Sequence, residues 1–253
     1  MTTETRSLES LTLHVDGAIA TLTIARPRVR NAFTTAMWAH LRDQVRRLAT
    51  NPDVRVLVLR GEGRTFTSGS DIGEFARLGP EGSEQSFRLM EEAITAVESL
   101  PFATIAAIGG HALGAGLELA LACDLRIGAA DARLGMPIAR LGITVTPRFA
   151  ARLVAAVGPA RARDLLLTGR ILAAEEARAA GLLHYVVDPA ELEPAVTDLA
   201  NRVAAQSPAA VRAAKRWIAA LLPAVDDGDA RAVDPVEFRE GVAAFLEGRP
   251  PRF

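Results

Sequence analysis

The chain has 253 residues, of which 49% are hydrophobic and 23% charged, and its formal net charge is −1. This composition is typical of a globular protein with a sizeable core, so the length predicts one large domain or a domain with a small appendage. The lack of a basic surplus argues against nucleic-acid and anionic-membrane partners. The single cysteine, Cys123, excludes a disulfide within the chain. The polar N-terminal segment 1–10 has no apolar signal region, so we expect a cytoplasmic protein.

The first half of the chain alternates predicted strands and helices. Short apolar runs indicate buried strands, and apolar residues at helical spacing indicate amphipathic helices. The predicted elements are a hairpin over 11–16 and 19–25, a helix over 34–49, a strand over 54–59, a short helix capped by Asp71, a helix over 86–100, a strand over 103–108, a helix over 117–123 and a strand over 125–129. This alternation predicts an α/β fold whose strands are covered by helices.

The second half is predicted to be almost wholly helical. Its single predicted strand covers 183–187, and the acidic segment 226–234 reads as a linker or loop. The predicted helices cover 148–157, 160–168, 174–180, 191–205, 209–222 and 236–246.

Two glycine-rich loops, 64–72 and 109–118, each follow a buried strand and enter a helix. Glycine lets the backbone approach a ligand closely, and the first N–H groups of a helix have no intrahelical partner. Two such ends facing one point could bind an oxyanion. Neither loop has the spacing of a P-loop or a dinucleotide-binding fingerprint, and the four histidines are scattered without metal-ligand spacing.

The sequence resembles the crotonase (enoyl-CoA hydratase/isomerase) superfamily over nearly its full length. The resemblance begins with the early turn Arg26-Pro27-x-x-Arg30-Asn31-Ala32. Further matching segments follow in the family's order at 66–72, 110–118, 123–126, 165–170, 175–177, 181–182 and 245–253. The resemblance implies a spiral of ββα units, with a core over 1–195 and a helical C-terminal region over 196–253 that serves oligomerisation and as a lid. It also implies assembly as a homotrimer or homohexamer.

The resemblance also implies a role for each loop. The backbone N–H groups of Ser70 and Ala115 would hold the oxygen of an acyl-CoA thioester, and adenine would lie near 67–68. Coenzyme A would be part of the substrate, with no separate cofactor and no metal. Arg249, Arg252 or Phe253 would reach a coenzyme A, in the same or a neighbouring subunit. The implied substrate contacts are Arg28, Arg30, Thr67, Ser68, Gly69, Asp71, Ile72, Gly114, Ile138 and Arg140.

Glu118 is the candidate acid–base residue. It is the only charge between His111 and Asp124, and a carboxyl in such an apolar run is desolvated, which moves its pKa toward neutrality. Hydratases of this family carry a second glutamate after a proline in the next segment, but here Ile138 follows Pro137. Losing one of two proton-transferring groups costs roughly 10²- to 10⁴-fold in rate, so ordinary hydration is in question.

The alternatives therefore stay open. Glu118 alone could move a proton between two carbons, as in double-bond isomerisation. Arg140 could bind a substrate carboxylate, as in a decarboxylase. Thr144, Thr146 and His111 offer other polar groups. The protein could also bind acyl-CoA without turning it over, and the direction in which the Glu118 carboxyl points would discriminate that reading from an enzyme.

Overall fold

The computed structural model describes residues 6–8, 10–222, 225, 227–228 and 230–253. The strands are β1 (Arg6–Leu8), β2 (Leu11–Asp16), β3 (Ile19–Ile24), β4 (Val56–Gly61), β5 (Ala103–Ile108), β6 (His111–Leu113), β7 (Leu125–Ala129), β8 (Arg133–Gly135), β9 (Ile171–Ala173) and β10 (Tyr185–Val187). The helices are α1 (Thr35–Leu48), α2 (Ile72–Glu98), α3 (Ala115–Leu121), α4 (Pro147–Thr168), α5 (Ala174–Ala180), α6 (Leu192–Ala204), α7 (Pro208–Ala220) and α8 (Pro235–Glu247).

The main sheet has the order β1-β2-β3-β4-β5-β7-β10. Strands β1 to β3 pair antiparallel, and every later pair in this sheet is parallel. A second sheet, β6-β8-β9, lies beside the predicted loops. The predicted α/β fold class is confirmed.

Side chains of the central strands alternate between two apolar layers, as the pleat requires. Leu57 and Leu59 face the larger cluster, which includes α1, α2 and α3. Val56 and Val58 face a smaller cluster that α6 covers. Parallel strands covered on both faces read as continuous apolar runs, which is why these strands were visible in the sequence.

The two predicted breaks between helices are confirmed, since α2 and α4 each consist of two helical parts that meet at a non-helical glycine. Gly79 interrupts α2 with φ 65° and ψ −177°, and Gly158 interrupts α4 with φ 77° and ψ 163°. Each glycine precedes a proline, which cannot donate to the preceding turn of the helix. The prediction of a single strand in the second half was wrong, since β9 is a second strand there. With three residues, β9 is too short to show the alternation of apolar and polar residues that marks a strand.

The C-terminal helix packs on the core. The ring of Phe238, in α8, lies 5.6 Å from that of Phe75, in α2. The predicted boundary at residue 195 and the lid role stay predictions.

The N-terminal segment 1–10 and the acidic segment 226–234 lie partly outside the described residues. Within the described part of the chain, no helix combines the length and apolarity needed to cross a bilayer.

Candidate active site

A cavity of about 1640 Å³ opens between α2, the two glycine-rich loops and the start of α4. Pockets for small ligands usually enclose roughly 300–1,000 Å³. The cavity is therefore large enough for an extended ligand, and its wall combines loop backbone with side chains of α2, α3 and α4.

Hydrogen bonds join the two loops. Phe66 N donates to Gly109 O at 2.8 Å, and Thr67 N donates to His111 O at 3.0 Å. Gly116 permits this approach, because a Cβ atom there would lie 2.4 Å from the carbonyl oxygen of Thr67. The relative position of the loops is therefore fixed by backbone contacts.

The backbone N–H groups of Ser70 and Ala115 have no hydrogen-bond partner among the residues that the structure describes. The neighbours of Ser70 are both engaged: Gly69 O accepts from Phe33 N, and Asp71 N donates to Phe33 O, each at 2.8 Å. A Cβ atom on Gly69 would lie 3.1 Å from Ala115 N, so the two free donors belong to adjacent stretches of backbone. Both residues line the cavity, an arrangement able to bind an oxyanion.

The Ser70 hydroxyl is engaged away from this role. It accepts from Trp38 Nε1 at 3.2 Å and lies 3.9 Å from the Met90 sulfur. The Trp38 ring in turn stacks on Phe33, with centroids 4.0 Å apart. These contacts anchor the loop, so the backbone rather than the hydroxyl of Ser70 is the available donor.

Glu118 is a fully buried carboxyl that lines the cavity. It lies three residues after Ala115 in α3, so the two share one helix face. Its Oε1 accepts from Arg152 Nη1 at 2.7 Å, whereas its Oε2 is buried without a partner among the described residues. Burial raises the pKa of Glu118 well above its usual range, the charge of Glu91 raises it further, and Arg152 opposes both. A carboxyl in this setting is suited to proton transfer near neutral pH.

Arg152 binds three carboxylates. Besides Glu118, its Nη2 lies 2.6 Å from Oε1 of Glu91 and 3.1 Å from Oε2 of Glu98. Thr95 Oγ1 also accepts from this Nη2, at 2.9 Å. Its guanidinium is only 4% exposed, so these contacts replace its hydration shell.

Most of the predicted substrate contacts lie on the cavity wall, and three do not. Thr67 is buried between the loops, where its hydroxyl donates to Asn31 O at 2.7 Å, and Gly69 is also absent from the wall. Arg140 is exposed outside the cavity. The predicted residues that line the cavity are Arg28, Arg30, Ser68, Ser70, Asp71, Ile72, Gly114, Ala115, Glu118 and Ile138.

Some of these residues also have structural contacts. Asp71 caps α2 through a hydrogen bond from Glu74 N, and it pairs with Arg26 at 3.1 Å. Ile138 presents apolar surface beside the second loop, where a Cβ atom on Gly114 would lie 3.6 Å from its Cγ2.

The further polar candidates divide in the same way. Thr144 and Thr146 line the cavity, whereas His111 does not. Arg249 is paired with Glu240, at 2.6 Å, within the C-terminal region.

Two residues of this site, Arg152 and Glu91, are not among the candidates predicted from the sequence. A signal existed for Arg152, because it lies on the buried face of α4 between Phe149 and Leu153. Glu91 follows the buried Met90 along α2, at the edge of the apolar stripe. Such a position is common for a surface glutamate, so the sequence alone gave no reason to select it.

Comparison with known proteins identifies the family of the chain. The chain matches the family described as enoyl-CoA hydratase/isomerase over residues 14–253. It is 34% identical over 257 residues to the crotonyl-CoA hydratase of Syntrophomonas wolfei, covering 97% of this chain and 98% of that protein. The crystal structure of an enoyl-CoA hydratase/carnithine racemase from Magnetospirillum magneticum is 36% identical, with a TM-score of 0.81 over 98% of this chain and 96% of that one. An enoyl-CoA hydratase from Bacillus anthracis is 30% identical, with a TM-score of 0.79 over 97% of this chain and 99% of that chain. The chain belongs to the enoyl-CoA hydratase/isomerase family, a crotonase-fold family.

Proposed function

We propose that this protein is an enzyme of acyl-CoA thioesters that stabilises a thioester enolate and moves a proton on the acyl chain. One observation carries the proposal. Ser70 and Ala115, whose N–H groups have no partner among the described residues, line the same cavity as the buried Glu118. The names of the relatives, including crotonyl-CoA hydratase, support the same substrate class.

The two backbone donors would bind the thioester oxygen. Removing a proton beside a thioester carbonyl, or adding a nucleophile to a conjugated one, places negative charge on that oxygen. Donors already fixed by the surrounding backbone stabilise this charge without reorganising, and one such donor is worth about 10²- to 10³-fold in rate.

Glu118 would transfer the proton. Its raised pKa favours the protonated form, and Arg152 stabilises the carboxylate that remains after the proton leaves. Glu118 and Ala115 belong to the same helix, so the helix fixes the position of the proton-transferring group relative to one of the oxyanion donors.

The basic residues at the cavity edge support the coenzyme A part of the substrate. Arg28 and Arg30 lie on its wall, and guanidinium groups bind phosphates in a bidentate way. In this proposal coenzyme A enters as part of the substrate, and no separate cofactor or metal is required.

Ile138 favours a second candidate reaction. An apolar side chain there cannot exchange a proton, so Glu118 acting alone would shift a double bond between 2-enoyl- and 3-enoyl-CoA. A decarboxylase using Arg140 has less support, because Arg140 is exposed outside the cavity.

A direct test compares the wild type with Glu118→Gln and with Glu98→Gln, which alters another carboxyl on Arg152 outside the cavity wall. Mass spectrometry would follow 2-enoyl- and 3-enoyl-CoA turnover and the exchange of C2 protons of a saturated acyl-CoA with deuterated water. We expect Glu118→Gln to lose roughly 10²- to 10⁴-fold in both rates, while Glu98→Gln retains them.

Two results would contradict the proposal. Unchanged exchange in Glu118→Gln would remove Glu118 from the reaction. Binding of acyl-CoA by calorimetry, with neither exchange nor turnover in the wild type, would instead indicate a non-catalytic acyl-CoA-binding protein.

We further propose that the protein forms a homotrimer or homohexamer. None of the residues of α7 is buried, and Trp217, Ile218 and Leu221 expose 62%, 64% and 85% of their surface. Contiguous apolar surface of this kind is typical of a protein interface. Light scattering at several protein concentrations tests the assembly, and a monomer throughout would contradict it.

A further inference from the structure

We propose that a second carboxyl belongs to this site and that Glu91 and Glu118 form an acid–base pair. Glu91 takes a proton from water, and Glu118 donates a proton to the C2 carbon of the acyl chain. The inference rests on the proposed function and deepens it. It would allow water addition without a carboxyl at position 138.

The two carboxyls meet at one guanidinium. Arg152 Nη1 lies 2.7 Å from Oε1 of Glu118, and Nη2 lies 2.6 Å from Oε1 of Glu91. Because one planar group binds both, the carboxyls are held close together although they come from α3 and α2. Beyond burial, which is the larger cause, the charge of Glu91 also raises the pKa of Glu118.

Glu91 reaches the cavity, whereas the third carboxyl on Arg152 does not. The side chain of Glu91 is 17% exposed and lines the cavity, while Glu98 is absent from the wall. Thr95 Oγ1 donates to Glu91 Oε1 at 2.9 Å and so orients its carboxyl. Glu91 therefore has both solvent access and fixed geometry, which a water-activating group needs.

The surrounding charges favour a proton on Glu118. Glu91 and Glu98 face the cluster from α2, Glu118 from α3, and Arg148 and Arg152 from α4. Arg148 is 3.7 Å from Glu91 and is also paired with Asp227.

Two arginines thus face an excess of carboxylates, which a proton on Glu118 reduces. The buried Oε2 of Glu118, which lacks a partner among the described residues, gains a donor proton in that state.

The reaction balances with these groups alone. The oxygen of water bonds to C3 of a 2-enoyl thioester while one proton of that water passes to Glu91. The π electrons move toward the thioester oxygen, which the Ser70 and Ala115 N–H groups hold, and the enolate then takes the proton of Glu118 at C2. Glu91 is left protonated and Glu118 ionised, and transfer of the proton from Glu91 to Glu118 restores the pair. Both hydrogens and the oxygen of water are accounted for in the 3-hydroxyacyl product.

The test separates water activation from carbon protonation in Glu91→Gln, Glu118→Gln and Glu98→Gln. Water addition to a 2-enoyl-CoA requires both carboxyls, whereas exchange of the C2 proton of a saturated acyl-CoA requires only Glu118. We expect Glu91→Gln to lose roughly 10²- to 10⁴-fold in water addition but to retain C2 exchange within about tenfold. Glu118→Gln loses both, and Glu98→Gln retains both.

Each other outcome has a definite meaning. Equal losses of both rates in Glu91→Gln, or water addition equal to that of Glu98→Gln, would overturn the inference and leave Glu91 as a structural partner of Arg152. Wild-type C2 exchange without water addition would overturn it while keeping the proposed acyl-CoA enzyme. Wild-type failure in both assays would overturn the proposed function itself. If Glu91→Gln does not fold, Glu91→Asp is the alternative variant. It keeps the charge on a side chain that is one methylene shorter, and it should show the same selective loss of water addition.

Discussion

Arg152 Nη1 lies 2.7 Å from Glu118 Oε1, with the two side chains only 4% and 1% exposed. Neither group can be hydrated at that depth, so each depends on the other. This pair links the stability of the fold to the chemistry of the cavity, because burial raises the pKa of Glu118 and the contact with Arg152 opposes that rise.

Removing the cation should therefore destabilise the protein. In Arg152→Met, the buried carboxyl of Glu118 loses its counter-charge, and Glu91 and Glu98 lose a donor. We expect a loss of about 3–5 kcal/mol in the free energy of unfolding, measured by urea titration at neutral pH. Arg152→Lys is the control, since it keeps the charge but not the fork of donors. Arg152→Met at least as stable as Arg152→Lys would show that the ion pair adds nothing.

The raised pKa of Glu118 predicts a pH dependence of stability. The folded state holds this proton more tightly than the unfolded state, so the free energy of unfolding falls as pH rises. The fall starts near the ordinary value of a glutamate, about 4.3, and continues upward to the folded pKa. Hydrogen bonds from Arg249 and from Arg252 N lower the pKa of Glu240 to about 2, so that carboxyl titrates below the window.

Urea titrations of the wild type and Glu118→Gln between pH 4 and pH 8 check this sign. As pH rises across this interval, the free energy of unfolding should fall more steeply in the wild type than in the variant. Only the slopes are compared, because the variant also weakens the contact with Arg152 and so changes the absolute stability. Parallel curves would mean that Glu118 titrates alike in the folded and unfolded states.

Burial also predicts an inert thiol. Cys123 is 2% exposed, and burial, with a contribution from the charge of Asp124, raises the pKa of its thiol to about 12. The thiolate is the reactive species, so iodoacetamide at pH 8 should not label the folded protein, whereas the urea-unfolded protein should be alkylated within minutes. Mass spectrometry distinguishes the two, and rapid labelling without urea would contradict this packing.

The elements that the sequence predicts well are those whose pattern is local. The strand over 103–108 and the helix over 174–180 were predicted with the bounds that the structure has, because each is one uninterrupted apolar run or amphipathic turn. The strands β6, β8 and β9 were not predicted, since three residues are too few to show a period of two.

The residues of the site also differ in whether a local sequence pattern marks them. Glu118 stood out as a lone charge in an apolar run, but its partner Arg152 lies 34 positions away, and only packing brings them together. Glu91 and Glu98 also differ only in three dimensions, because one lines the cavity and the other does not. The roles of the Ser70 and Ala115 N–H groups were expected from family resemblance. That these groups have no partner within the described part of the chain depends on backbone geometry, which no spacing rule reports.

Gly69 offers a sharp test of the oxyanion site. It has φ +95°, and a Cβ atom would lie 2.8 Å from Leu113 O and 3.1 Å from Ala115 N. Gly69→Ala should therefore separate the two loops and move the Ser70 and Ala115 donors apart. Gly17→Ala is the matched control, since Gly17 has φ +55° but nothing within 4 Å of its Cβ position.

Both variants force an alanine into the left-handed region, at about 1–2 kcal/mol of stability, so a difference between them reports crowding at the site. We expect Gly69→Ala to lower kcat/KM for an enoyl-CoA, or the C2 exchange rate of a saturated acyl-CoA, by roughly 10²- to 10³-fold, as when one oxyanion donor is lost. Gly17→Ala should lose stability without a comparable loss of rate. Equal rates in the two variants, both folded at the assay temperature, would mean that the thioester oxygen does not lie between Ser70 N and Ala115 N.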